Sequence, residues 1–397
     1  MHAPFQAGAS WVPTPSGMGV DYVVMGVLKK RLLKQQTAGE KCALAWFISP
    51  HGFGHAARAS ALVAACSSRR RGLHHHIFTT VPRGFFGDSL AGVSFEYHHL
   101  ECDVGMVQAT PFDEDVDGTI QALERLPVNH GPEFERVLDQ IAANDCRLVV
   151  SDIAPQGLAV ATRLALPGVL VENFTWDWIY RAYHDPRLND LGGRLAEIFR
   201  SASLRIQTAP VCETAENGRA VAPVSRLPRR SRTEVRESLG IPTGHRVVLL
   251  SVGGLHASDV EHRGFRPPTA TTLVVPGAVD RVRASESVIW IPTMGGPYHP
   301  DLVAASDLVI AKLGYSTVAE VYHANTVFAY LCRPRFPESP VLNAFVRQHI
   351  PSEALPEDWL GDPTAAEIIE ALLDGPRPTG TRPNGADEAA KMILSLL

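Results

Sequence analysis

ASDLVIAKLGYSTVAEVY, residues 305–322, reads as a short buried strand, a glycine turn and a helix with a carboxylate one turn in. Leu308, Val309 and Ile310 form the kind of apolar run that a parallel sheet buries on both faces, and Gly314 can take the tight turn that follows. A helix opening at Ser316 or Thr317 points its first unpaired N–H groups, and the positive end of its dipole, beyond the strand. With Gly314, Tyr315 and the two hydroxyls at that end, the segment suits a diphosphate. Glu320, about one turn further on, is placed to accept hydrogen bonds from both hydroxyls of a ribose. The same residues also fit an ordinary strand-to-helix connection, with Ser316 as cap and Glu320 on a solvated face. Lys312 favours the first reading. The other lysines (Lys29, Lys30, Lys34, Lys41 and Lys391) lie outside strand-like runs, and a charge set between a buried strand and a glycine turn calls for an anionic partner such as a phosphate.

The strand–turn–helix rhythm recurs along the chain. From Lys41 onward, short apolar runs alternate with helix-length stretches, which is the pattern of βα units and parallel sheets. The expected strands of the first half are 42–49, 76–80, 93–98, 147–152, 168–173 and 204–209; those of the second are 246–254, 271–277, 287–293, 307–313 and 326–332. VAPVSRLPRRSR (221–232), rich in Pro and Arg, breaks the rhythm and reads as a connection. The fold expected is α/β, with two doubly wound, Rossmann-like parallel-sheet domains over 41–220 and 233–397 facing across a cleft. A final amphipathic helix, ADEAAKMILSLL (386–397), is expected to return toward the first domain. Ligands of such sheets bind beyond the carboxyl ends of the strands.

Those strand ends carry the remaining candidates. In ISPHGFGHAARASAL (48–62), Gly52 and Gly54 bracket a bend and His55 falls at a helix start, where an imidazole titrating near neutrality can activate a hydroxyl. Arg58, one turn on, is a candidate to hold an anionic group. A plain βα turn with a capping histidine is the competing explanation. A dinucleotide fingerprint is excluded chiefly because the second strand lacks a terminal acid. Asp152 closes RLVVSD and can orient a histidine, bind a sugar hydroxyl or cap a helix. In ENFTWDWIY (172–180), Asn173, Trp176 and Asp177 are candidate sugar contacts, although a helix N-terminus with Thr175 as cap and both tryptophans in the core fits equally. SVGG (251–254) offers the N–H groups of Gly253 and Gly254. In CRPRFPESPVLNAFV (332–346), Arg333, Glu338 and Asn343 are candidates for a sugar pocket.

Composition bounds these readings. A chain of 397 residues with 45% hydrophobic and 20% charged residues is a globular chain long enough for two cores. The net charge of −5, without a basic stripe, argues against nucleic acid as a partner. The six cysteines show no CxxC spacing and suggest reduced core thiols in a cytoplasmic protein, rather than disulfides or zinc. Residues 1–40 are expected to be a weakly ordered tail. Within it, 20–36 reads as inconsequential tail or as a short apolar-then-basic helix making weak peripheral contact with a membrane.

Taken together and in order, HGFGHAARA, VVSD, NFTWDWIY and AASDLVIAKLGYSTVAE through RFPESPVL resemble glycosyltransferases of the two-domain GT-B fold. Among these the chain is similar to the peptidoglycan N-acetylglucosaminyltransferase type, and more so to the glycosyltransferase-like domain ahead of the kinase domain of L-arabinokinases. The similarity spans roughly residues 42–350. It implies a nucleotide-diphospho-sugar donor, usually a UDP-sugar, as co-substrate, with no separate cofactor and no metal. By the same resemblance Glu320 binds the ribose, Gly314, Ser316 and Thr317 the diphosphate, and Ile291 and Pro292 the base. His55 is implied to be the counterpart of the residue that activates or orients an acceptor hydroxyl, and Asp152, from its own place at a strand end, is the second catalytic candidate. The phosphate-binding run of the sugar-kinase half has no counterpart here. A nucleotide-sugar binder without turnover and, lower, a UDP-N-acetylglucosamine 2-epimerase-like enzyme remain as alternatives; the acceptor is not specified.

Overall fold

CALAWFI, Cys42–Ile48 (β1), is buried at every position, as a strand at the centre of a doubly covered parallel sheet must be. It opens the described part of the computed structural model, which comprises residues 42–397 apart from 111, 253–267, 278 and 286. The expected tail (1–40), its 20–36 helix, Gly253 and Gly254 lie outside the described residues.

Around β1 the first sheet adds β2 (Leu73–Thr79), β3 (Phe95–His99), β6 (Cys146–Asp152), β7 (Gly168–Glu172), β8 (Leu204–Thr208) and β9 (Gly218–Val221), in the order β3-β2-β1-β6-β7-β8-β9. Every pairing is parallel. The chain therefore starts mid-sheet, runs to one edge and crosses back, so the order reverses between β1 and β6, and a crevice opens beyond the ends of those two strands. A hairpin of β4 (Gln108–Thr110) and β5 (Asp113–Glu114) stands apart from this sheet.

The second sheet repeats the scheme with β10 (Arg246–Ser251), β11 (Thr271–Pro276), β12 (Arg283–Ala284), β13 (Val288–Ile291), β14 (Leu308–Lys312), β15 (Val327–Leu331) and β16 (Ser352–Ala354). Its order is β12-β13-β11-β10-β14-β15-β16, parallel except for β12 against β13, with the reversal between β10 and β14. The expected strands are present with shifted ends. β2 begins at Leu73 rather than 76, because its histidines alternate between the two faces and hide the apolar pattern. The short strands β9, β12 and β16 and the hairpin are additions whose two to four residues carry no readable period.

One face of the first sheet is covered by the helices Phe53–Arg69 and Ala386–Leu394. Ala386, Ala389, Ala390 and Ile393 are buried there, the alanines letting the two helix axes come close, and Arg69 pairs with Asp387. Burying Ile393 alone contributes ~1.5–3 kcal/mol. The chain thus passes to the second sheet after Val221 and returns before Ala386, and its two crossings lie side by side. Gly385 N–H donates to Pro223 O at 3.0 Å, and Asn384 Nδ2 to Ser225 O at 2.8 Å. A Cβ on Gly385 would collide with the carbonyl oxygen of Ala222, so only glycine fits there. All six cysteines are unpaired, four of them buried. No helix among the described residues is long and apolar enough to cross a membrane.

Candidate active site

The crevices of the two sheets face each other in a cleft of about 560 Å³. Its first wall starts at Gly52, whose φ of 73° turns the chain sharply from β1 into the helix Phe53–Arg69. His55 lies in the first turn of that helix, and Asp152 ends β6 next to it.

The pair is tightly held. His55 Nδ1 lies 2.8 Å from Asp152 Oδ1, while Arg58 grips the same carboxylate with Nε at 2.9 Å and a terminal nitrogen at 2.6 Å. The other terminal nitrogen of Arg58 donates to Asn173 Oδ1 at 2.9 Å and Thr208 Oγ1 at 3.2 Å. Arg58, expected to hold an anionic group, does line the cleft, and the anion its guanidinium meets among the described residues is Asp152. Burial pushes the Asp152 carboxyl up, but the Arg58 guanidinium and the His55 hydrogen bond outweigh it and hold the group below its ordinary value. An ionised carboxylate can only accept, so Nδ1 of His55 carries the proton and Nε2 keeps its lone pair. Burial lowers the His55 pKa by more than Asp152 raises it, and the ring is neutral at pH 7.

Across the cleft the helix Tyr315–Ala324 starts one residue earlier than expected, and its N-cap, Gly314, makes no side-chain cap. Ser316 and Thr317 therefore sit in the first turn, and Ser316 is not the cap of an ordinary connection. A Cβ built on Gly54 would lie 3.4 Å from Ser316 Oγ, which measures how closely the turn before His55 approaches this helix end. Tyr315 lines the cleft with its hydroxyl engaged elsewhere: it accepts from Val224 N at 3.1 Å, and Arg58 lies 5.1 Å from its ring centroid. Lys312 ends β14 and lines the cleft, and no carboxylate among the described residues pairs with it. Burial, then the neighbouring Arg333 charge, bring its pKa down to about 8. Ile291 and Pro292 line the same wall at the end of β13.

Glu320 is buried rather than on a solvated face. Arg226 donates to its Oε1 from two nitrogens at 3.1 and 2.9 Å, and His299 Nδ1 lies 2.7 Å from Oε2. Burial raises this carboxyl, but Arg226 and His299 more than reverse the effect and bring it to about 2. Arg226 also donates to Ser89 Oγ at 2.9 Å, tying the two halves together. Arg226 lies in the segment read as a connection, and neither it nor His299 was singled out from the sequence; their signal is tertiary.

Of the remaining candidates, Asn173, Arg333 and Glu338 line the cleft. Asn173 Nδ2 donates to Glu338 Oε1 at 2.6 Å across it, and Arg333 pairs with Glu114 of the hairpin at 3.0 Å. Trp176, Asp177 and Asn343 do not line it. The Trp176 ring is fully buried, with Nε1 donating to Asp103 Oδ2 at 2.7 Å. Asp177 pairs with Arg181 one helical turn on, and Asn343 accepts from the Tyr330 hydroxyl at 2.5 Å. Trp178, which the sequence placed in the core with it, is half-buried.

Glu338 yields a pH prediction. Burial pushes its carboxyl up to about 7, from an ordinary 4.5. A carboxyl raised in the folded state favours folding below its unfolded value, and that contribution disappears as pH rises through the folded value. Glu338→Gln keeps the acceptor for Asn173 without ionising. It is expected to be more stable than the parent by ~3 kcal/mol at pH 8, with the difference vanishing near pH 4.5. Urea unfolding at both pH values checks this, and equal stabilities at pH 8 would refute it.

No protein-family model matches the chain. It is 28% identical over 308 residues to L-arabinokinase of Arabidopsis thaliana, covering 75% of this chain but only 29% of that relative's length. It is 24% identical over 315 residues to an uncharacterized glycosyltransferase of Methanopyrus kandleri, covering 74% and 89% of the two chains. Among solved structures, a UDP-glucosyltransferase of Polygonum tinctorium superposes with a TM-score of 0.56 over 91% of this chain and 94% of that one, at 13% identity. The fold is GT-B. In this GT-B chain, His55 comes from the first half and the helix Tyr315–Ala324 from the second, and the cleft is where they meet.

Proposed function

We propose that the protein is a glycosyltransferase that moves a sugar from a nucleotide-diphospho-sugar, of UDP type, to an acceptor hydroxyl without a metal ion. The observation that carries the proposal is the juxtaposition of His55, oriented by Asp152, with a helix N-terminus whose two hydroxyls serve no cap. The likeness to L-arabinokinase and to glycosyltransferases supports it. His55 Nε2 takes the proton of the acceptor hydroxyl as its oxygen bonds to the anomeric carbon, and the bond from that carbon to the diphosphate oxygen breaks. The departing nucleoside diphosphate gathers charge where the N–H groups of the helix Tyr315–Ala324, Ser316, Thr317 and Lys312 face it. Those groups do in this reading what a metal ion does elsewhere. Glu320, fixed by Arg226 and His299, accepts from the ribose hydroxyls through its remaining lone pairs, and Ile291 and Pro292 flank the base.

Calorimetric titration with UDP, GDP, dTDP and ADP tests the donor side. Micromolar binding of UDP, worth ~8 kcal/mol, is expected. It should weaken at least tenfold, ~1.4 kcal/mol, in Glu320→Gln, which keeps the side chain's shape. Tight binding of another nucleotide would reassign the donor, and binding of none would refute the reading. Binding with no transfer to any acceptor would leave a nucleotide-sugar sensor.

A further inference from the structure

The run His74-His75-His76 in β2 sends its side chains to alternate faces of the sheet. His75 is fully occupied on one face, with Trp46 Nε1 donating to its Nδ1 at 2.9 Å and Ser67 Oγ lying 2.8 Å from Nε2. His74 and His76 emerge on the other face beside Glu96 and His98 of the edge strand β3, whose register sets His76 opposite Glu96. We propose that His74, His76, Glu96 and His98 form a zinc-binding site that pins β3 to β2, separate from the cleft and from the reaction proposed there.

Donor atoms of His74, His76 and Glu96 already converge, and His98 lies against two of the three. His76 Nδ1 lies 3.1 Å from His98 Nε2 and 3.7 Å from a Glu96 oxygen, and His98 Nε2 lies 3.9 Å from the other Glu96 oxygen. Tetrahedral zinc with bonds of ~2.0–2.1 Å sets its ligand atoms ~3.4 Å apart, inside that range. One ligand atom each from His74, His76 and Glu96 falls within a span of 4.8 Å. Three imidazoles and one carboxylate form a donor set that suits zinc.

The surroundings fix the rings. The His98 ring stacks on Phe78 with centroids 4.4 Å apart and planes 11° apart, and Ser94 Oγ lies 2.8 Å from His74 Nδ1 as the outer-shell partner usual for a ligating histidine. His76 is buried, whereas the Glu96 side chain is 56% exposed, so an ion can enter from solvent. A buried imidazole pair needs neither a third ring nor a carboxylate for its own hydrogen bonding, yet both are present. None of the four residues lines the cleft. An edge strand joined on one side only is where such a clamp has most to add.

The test uses the full chain, stripped with a chelator and dialysed against Zn²⁺ or Co²⁺. A single zinc per chain is expected by elemental analysis, with the visible absorption of tetrahedral Co²⁺ and a melting temperature raised by Zn²⁺. Glu96→Gln, in which an exposed side chain changes and the fold is not at risk, should weaken binding by about tenfold or more. The double variant His74→Asn, His98→Asn should abolish it. Zinc content and cobalt spectrum unchanged in both variants, or no retained metal in the parent chain, would overturn the proposal. Nucleotide titration of the zinc-free chain separates its fate from that of the cleft.

Discussion

Replacing His55 with alanine is expected to slow sugar transfer by ~10²–10⁴-fold while leaving nucleotide affinity unchanged. The size follows from what the side chain supplies. Its Nε2 is held unprotonated because Nδ1 donates to Asp152 at 2.8 Å, and burial keeps the ring neutral at the pH where it works. The nucleotide, by contrast, is assigned to the opposite wall, so its affinity does not depend on this ring. Initial rates with saturating donor, set beside a calorimetric titration of the same variant, separate the two effects. A variant with the parental rate would mean that the acceptor hydroxyl loses its proton elsewhere. Loss of nucleotide binding along with the rate would mean that His55 supports the cleft rather than the chemistry.

The second large effect concerns stability. Arg58 is 2% exposed and Asp152 1% exposed, and the guanidinium meets the carboxylate with two nitrogens. Arg58→Met removes the charge, keeps most of the volume and leaves Asp152 buried without its cation. A loss of ~3–5 kcal/mol is expected, read as a lowered urea midpoint. The double variant Arg58→Met, Asp152→Asn should recover much of this, because no buried charge is then left unpaired. Equal instability of the single and double variants would mean that the packing of Arg58, including its contact over Tyr315, matters more than its charge.

Both sheets were legible in the sequence because a strand covered on two faces must be apolar, as β1 and β15 are throughout and β14 is up to its terminal Lys312. The turns at Gly52 and Gly314 were legible for a related reason: turn chemistry is local, and His55, Ser316 and Glu320 follow at fixed spacing. What escaped depends on distance along the chain. Arg226 reaches Glu320 across 94 positions, and nothing in a Pro- and Arg-rich run marks one arginine as the partner of a particular carboxylate. Trp176 and Trp178 illustrate the limit of helical phase. Both belong to one short helix, and only the structure shows that the first turns inward to Asp103 while the second stays half-exposed. That Arg58 meets Asp152 escaped for a similar reason, since the two lie 94 positions apart.

The paired crossings at Pro223–Ser225 and Asn384–Gly385 have a mechanical consequence. Two segments bonded edge to edge behave as a two-ply ribbon, supple when bent across its flat side and stiff against twist or shear, since only the latter motions pull the hydrogen bonds apart. A displacement of one cleft wall against the other that twists or shears this ribbon must stretch both hydrogen bonds, so bending is the motion it resists least. The helix Ala386–Leu394, far in sequence from His55, thereby braces the wall that carries it.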